Sequence, residues 1–299
     1  MKKLRKIILW TLLIGIPAFI LASVFLLADL RTAEIKKGTQ SEENIQLAHK
    51  LLSDAIVKQG LDKMSQFSTY EVTATDEWQG FLGKVGNPWG FNKDAIAMRF
   101  TVGDFDSQSE VLEGEQKGAI KGIQSWDYYE KVGDTYETEV ADDKGMVFVL
   151  AAFHYLFELG NRLAKAPFIR YAGQGQLKGK AMDKVFVSWS SECTYKYDHY
   201  IVWIGQESGL IEAATFTTRD NPAPAPVFLY GSLRLDDFRE VNGVLIPFKQ
   251  TAHMGEPKET TTEFIHQLVI QKFEWDSFDA SDIRPFADLT PIGDDKLSN

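Results

Sequence analysis

The segment 146–159, MVFVLAAFHYLFEL, contains only His154 and Glu158 as ionisable residues besides Tyr155. At about 14 residues it falls short of the ~20 that a bilayer requires, and it is too apolar all round for a surface helix. A folded domain therefore has to enclose it. A single helix with no polar face is covered most economically by a sheet that curves around it. His154 and Glu158 lie one turn apart on the same face, so Glu158 is the natural partner of a hydrogen-bonded core histidine. Asn161 to Lys165 extends the helix, and Pro167 marks its exit.

The flanking sequence supplies such a sheet. Tyr70, Val72 and Ala74 interleave with Glu71, Thr73 and Thr75, and Ile96, Met98, Phe100 and Val102 interleave with Ala97, Arg99 and Thr101. Alternation of this kind marks half-buried antiparallel strands. Tyr195 to Ile204 and Leu210 to Thr218 read as a hairpin across Gly205–Gly209. Val227 to Phe238 and Val244 to His253 form a second hairpin across Asn242-Gly243, a strong turn signal. Thr260 to Trp275 completes the sheet, and Asn221 to Pro226 is a stiff, proline-rich connector. Ahead of the strands, Thr39 and Glu42 fit a capping box. Ile45, Ala48, Leu51, Leu52, Ala55 and Ile56 then fall on one stripe of a helix ending near Gly60.

The N-terminus has a different physics. Four Lys/Arg among the first six residues precede Ile7–Ala28, in which no side chain is charged. That run of about 22 residues matches the ~20 of a spanning helix rather than the ~7–15 of a cleavable signal. Leu26 stands where a signal peptidase would want a small residue. The positive-inside rule leaves residues 1–6 in the cytoplasm and exports the remainder. The chain is thus expected to comprise a cytoplasmic tail (1–6), a transmembrane anchor (7–28), a polar linker (29–40), a folded domain (41–285) and a flexible tail (286–299). The expected location of the domain is extracytoplasmic, on the periplasmic side of the inner membrane in a Gram-negative cell. The net charge of −10 argues against nucleic-acid binding. One cysteine, Cys193, excludes an intramolecular disulfide.

Chemistry is sparse. Gly173-Gln174-Gly175 lies between strands rather than ahead of a helix and reads as a turn. Ser208 is wrongly placed for a nucleophile elbow. The histidines have no helical metal spacing, and the sequence implies no cofactor, no metal and no catalytic group. An alternative places Asp198, His199, His253 and His266 together as a hydrolase-like cluster. The glycine-rich stretch Gly80 to Phe91 carries Phe81, Trp89 and Phe91. It is either a loop that folds these rings onto the core or a glycine-hinged flap over an apolar cavity.

The phrase from Asp237 through Asn242-Gly243-Val244 to Pro247 resembles the strand, turn, Gly-Val-x-x-Pro hairpin of the periplasmic lipoprotein carrier and outer-membrane lipoprotein receptor superfamily. Trp203-Ile204-Gly205 with Ser208-Gly209-Leu210-Ile211 is similar to its apolar strand, Ser/Thr-Gly-Leu, apolar strand step. The resemblance covers residues 41–276. It implies an incomplete antiparallel barrel closed by helices, with a concavity that holds acyl chains. That superfamily also includes a periplasmic regulator of envelope-stress signalling.

The resulting expectation is an α+β protein, with an N-terminal transmembrane helix and a curved antiparallel sheet, or half-barrel, around an apolar helix. It would bind a lipid or acyl chain through Phe81, Trp89, Phe91, Met98, Phe100, Phe153 and Phe157. The alternative is a non-enzymatic envelope interaction or signalling module with a filled core, whose protein partner the sequence does not name. The anchor is testable directly. Protein purified from membranes should begin at its original N-terminus, and N-terminal sequencing that starts near Asp29 would overturn it.

Overall fold

The computed structural model describes residues 27–138, 144–219, 229–259 and 262–289. Most of the expected anchor, the Asn221–Pro226 connector and residues 290–299 lie outside these. Among the described residues, no helix is long and apolar enough to cross a membrane.

Four α-helices are described: α1 (Ala33–Lys37), α2 (Glu42–Gln59), α3 (Gly80–Gly86) and α4 (Lys144–Leu163). The first meander runs β1 (Thr69–Trp78), β2 (Lys93–Thr101), β3 (Ser107–Val111), β4 (Ile120–Gln124), β5 (Asp127–Val132) and β6 (Thr135–Glu137). The second runs β7 (Phe168–Leu177), β8 (Lys180–Ser188), β9 (His199–Gly205), β10 (Ile211–Thr217), β11 (Tyr230–Val241), β12 (Val244–Met254) and β13 (His266–Trp275). They form one antiparallel sheet in the order β6-β5-β4-β3-β2-β1-β13-β12-β11-β10-β9-β8-β7. The two meanders join where the first strand meets the last, with Tyr70 opposite Trp275 and Trp78 opposite His266. The sheet is open, with β6 and β7 as its edges, and α4 is the connection between them.

The sheet curves. Helix α4 touches β3, β4 and β5 on one side and β12 on the other. Flat strands at ~4.8 Å spacing would hold β4 and β12 about 24 Å apart, twice the ~10–12 Å diameter of a helix. Alternation decides which side chains meet the helix. Tyr70, Val72 and Ala74 of β1 and Ile96, Met98 and Phe100 of β2 face inward and are buried, while Glu71 pairs with Arg99 on the outside. Helix α2 covers the other half of the concave face, packing Ala48, Leu52 and Ala55 against β7–β10.

Several details differ from the sequence reading. The cap of α2 is Ser41, whose hydroxyl accepts the Asn44 N–H, so the Thr39–Glu42 capping box does not form. Either hydroxyl satisfies the pattern, and Ser41 wins because Gly38 and Thr39 already close the preceding helix. The expected linker carries α1, capped by Thr32, and Ile35 is buried on the outer face of the sheet with Leu30 beside it. The strand expected from Thr260 begins at His266, and the one expected from Tyr195 begins at His199. Gly80–Gly86 is a short helix rather than an irregular loop.

Helix α2 ends where only glycine fits. Gly60 has φ +72°, and a Cβ there would lie 2.1 Å from the carbonyl oxygen of Gly243 in the β11–β12 turn. That contact is with backbone, which cannot step aside. Gly60→Ala is expected to destabilise the domain by more than ~2 kcal/mol, read as a lower urea midpoint with an unchanged slope.

Candidate functional site

The inward face of α4 lies against an aromatic floor. Phe157 meets Tyr70 at 5.7 Å, Phe100 at 5.7 Å and Phe273 at 5.9 Å between ring centroids. Tyr70 stacks on Phe100 at 4.8 Å. Met98, Phe100, Phe153 and Phe157 are all buried. These residues were expected to line a ligand cavity, and all four belong to one buried apolar cluster.

Beneath the floor sits an ionic network that the sequence showed only in part. The Tyr70 hydroxyl donates to Glu158 Oε1 at 2.9 Å, and Nη2 of Arg162 bridges Glu158 Oε2 at 2.9 Å and the Asp104 carbonyl at 2.6 Å. His154 Nδ1 lies 3.3 Å from Glu158 Oε1 and 3.3 Å from Arg162 Nη2. The Arg162 guanidinium also lies 3.8 Å from the centroid of Phe105. His154, Glu158 and Arg162 form an i, i+4, i+8 row on α4. The expected His154–Glu158 pair is present, and Arg162 one turn further supplies its charge balance. Burial pushes the Glu158 carboxyl up, but Arg162 and the bonds from His154 and Tyr70 together hold it below the ordinary value. Burial pushes the His154 imidazole down and, with the Glu158 charge, the Tyr70 phenol well up. The network is a lock between helix, strand and loop, sealed from solvent.

At Phe153, in the middle of α4 and next to His154, the packing is of a different kind. Trp89 stacks on Phe153 at 6.0 Å and on Phe91 at 6.2 Å, and its indole N–H donates to Asp76 Oδ2 at 2.7 Å. The other Asp76 oxygen meets His266 Nε2 at 2.5 Å, and His266 stacks under Trp78 at 4.1 Å. Over this stack lies α3. Gly83 sits so close to the Ile265 carbonyl that a Cβ would lie 2.7 Å from it, and Gly80 takes φ +70° at the entry. The outward side of α3 is apolar: Phe81 is 79 % exposed, Val85 64 % and Leu82 39 %. The glycine-rich stretch therefore divides. Trp89 and Phe91 fold onto the core, whereas Phe81 points away from it.

The hydrolase-like cluster does not assemble. Ala252 is opposite His266, so His253 projects from the other face of the sheet, where Nδ1 meets the Glu263 carbonyl at 2.9 Å. Asp198 accepts from Thr217 and from the Arg219 backbone, far along the sheet. Neighbouring positions in sequence were no guide, because the side-chain period of two sends adjacent strand residues to opposite faces.

The outer face holds an open cavity of about 300 Å³ between residues 28–32 and the sheet, walled by Ala172, Lys184, Trp203, Tyr230 and Glu256. Beside it, Asp29, Cys193 and His199 bring possible ligand atoms within 4.8 Å of one another. Arg31 pairs with Asp29 at 3.0 Å and Arg219 contacts Cys193 Sγ at 3.4 Å, so two fixed cations already occupy the surroundings of that trio. A further cation would meet repulsion there. Burial, then Arg219, pushes His199 down to about 4.

No family model matches the sequence, and no curated protein matches it. Among solved structures, the chain is similar to a domain assigned to outer-membrane lipoprotein sorting from Vibrio parahaemolyticus, with 7% identity over 80% of this chain and 97% of that one and a TM-score of 0.47. It is also similar to a LolA superfamily protein from Nitrosomonas europaea, with 9% identity over 79% and 96% and a TM-score of 0.45. LprF from Mycobacterium bovis matches with 11% identity over 78% and 95% and a TM-score of 0.29.

Two outcomes follow from the buried groups. Arg162→Met strands the Glu158 charge in the interior and is expected to cost ~3–5 kcal/mol, while adding Glu158→Gln should recover much of that loss. Denaturant titration of the single and double variants reads both. For His199, the folded state resists a proton that the unfolded chain accepts. Stability from this group is therefore complete above pH 6.5, and is lost as pH falls towards about 4, by at most about 3 kcal/mol. Asp29, held near 2 despite its burial by bonds from Arg31, changes only at lower pH. His199→Gln should flatten the acid limb of a thermal-unfolding series across that window.

Proposed function

We propose that the chain is a membrane-tethered extracytoplasmic protein that takes up a lipid acyl chain or similar apolar group beneath α3, with Trp89, Phe91 and Phe153 as the gate. The observation that carries this reading is the arrangement of α3 itself. A seven-residue helix exposes three large apolar side chains, and in the same stretch of chain Trp89 rests on Phe153 with Phe91 stacked on Trp89. Apolar groups placed in water above a stack of aromatics have no packing role in the closed state.

The energetics are compatible. Lifting Trp89 off Phe153 returns ~150–250 Å² of apolar surface to water, about 4–6 kcal/mol. Acyl carbons contribute ~0.8 kcal/mol per buried CH₂, so about six to eight methylenes offset the opening. Met98 and the inner edge of Phe153 would then meet the chain, whereas Phe100 and Phe157 would remain floor.

A second reading is a filled-core envelope interaction or signalling module, favoured by the ring-to-ring packing around Phe157. Native mass spectrometry of the full chain, released gently from its membrane, separates the two. The first reading expects a co-purifying lipid that Trp89→Ala and Phe153→Asp alter or abolish. Phe157→Ala is expected to cost ~3–5 kcal/mol under either, since the site is packed. A domain that carries no lipid and shows unchanged tryptophan emission when fatty acid is added would leave the filled-core module as the account.

A further inference from the structure

The described chain begins on the same rim of the sheet that carries α3. Trp78 at the end of β1 is opposite His266, which is opposite Ala252; Ala252 is opposite Leu233, Leu233 opposite Ala214, and Ala214 opposite Val202. Past this line in one direction lie α3 on β1 and His199 on β9. His199 is three residues beyond Val202, roughly 10 Å at ~3.3 Å per residue.

The segment leading from the apolar Ile7–Ala28 run is held to that rim. The Ala28 carbonyl accepts from Arg219, the Leu30 N–H donates to His199 Nδ1 at 3.3 Å, and Arg31 donates to the Ser191 carbonyl at 2.7 Å. Leu30 and Ile35 then pack on the outer face of β7–β10. Residues 28–31 are thus fixed to the domain rather than trailing from it. A bilayer holding the apolar run that precedes them would face this rim.

We infer that α3 is a second membrane contact, with Phe81, Leu82 and Val85 entering the interfacial layer of the bilayer to which the chain is anchored. Phe81 and Val85 are four residues apart and share one face of the helix, with Leu82 beside them. Interfacial helices bury such a face ~5–10 Å into the headgroup and acyl boundary. Among the described residues near α3, Lys84, Lys93 and Lys258 stand among Glu77, Asp94, Glu256, Glu259 and Glu263, and the whole chain carries −10. Contact is therefore driven by apolar burial on a largely zwitterionic surface, and added salt does not release it. The contact would place the gate of Trp89 and Phe91 against the acyl region, so an acyl chain reaches the space beneath α3 without crossing water. This inference rests on the tether of the proposed function, not on ligand uptake.

The test uses the full chain with Cys193→Ser, reconstituted into vesicles of phosphatidylethanolamine and phosphatidylcholine. A single cysteine at position 81 carries an environment-sensitive nitrobenzoxadiazole probe. Val57, 61 % exposed on α2, serves as the control position. The expected result is a blue shift and a several-fold gain in emission at 81 but not at 57, quenched by shallow lipid spin labels and unchanged by high salt. Val85→Asp should return the probe at 81 to water without unfolding the domain, since Val85 is exposed. Equal emission at 81 and 57, whether both dry or both wet, overturns the inference. Carbonate extraction reads the anchor separately. A chain that stays in the bilayer while position 81 is wet sinks the α3 contact and leaves the tether standing. Contact at 81 without co-purifying lipid leaves the contact standing and sinks uptake.

Discussion

A helix as apolar as α4 has to be enclosed, and its one ionisable row has to be paired inside. The helix connects the two edges of the sheet, so its burial and the curvature of the sheet are one requirement. Each meander starts or ends at α4, and the strands pair outward from the β1–β13 seam until both edges are reached. Because the helix crosses the concave face, the sheet does not need to close on itself. The edges β6 and β7 remain separate, and α2 fills the half that α4 leaves.

The same helix carries two chemistries. Towards Arg162 it presents a row of ionisable groups, and the Glu158–Arg162 pair ties it to Tyr70 on β1 and to Asp104 beyond β2. Buried ion pairs contribute little net stability against an apolar substitute, yet removing one partner is severe. Their value here is register: only one rotation of α4 pairs all of these groups at once. At Phe153 the helix meets stacked rings, of which Trp89 is tied by its indole N–H to the buried Asp76 carboxylate. One helix thus carries an ionic row and a ring stack side by side.

The outer face, which a sheet of this kind often leaves to solvent, is occupied at several places. Residues 28–37 lie over β7–β10, Arg234 is buried beneath the Lys258 and Glu259 carbonyls, and Ile283 to Phe286 lie over Gln108, Gln124 and Tyr129. These straps place the exit of the apolar N-terminal run and the loops of one rim in a fixed relation.

Periodicity alone determined the helix over 42–59, the inward residues of β1 and β2, the Asn242-Gly243 hairpin and the enclosure of the 146–159 segment. These follow from local geometry: side chains repeat every 3.6 residues in a helix and every two in a strand, and a wholly apolar helix has one environment open to it. The expected anchor rests on run length and flanking charge, and most of it lies outside the described residues. Only tertiary structure decided the rest. Thr39 and Ser41 are equivalent caps until Gly38 ends α1. Arg162 is an ordinary helical cation until Asp104 and Tyr70 arrive from elsewhere in the chain. The four polar residues grouped as a site separate because strand register puts His253 and His266 on opposite faces. Phe81 and Trp89, eight residues apart in one glycine-rich stretch, end on opposite sides of α3, since the turn after Gly86 reverses the chain onto Phe153. Contacts between distant segments set these outcomes, and no local pattern encodes them.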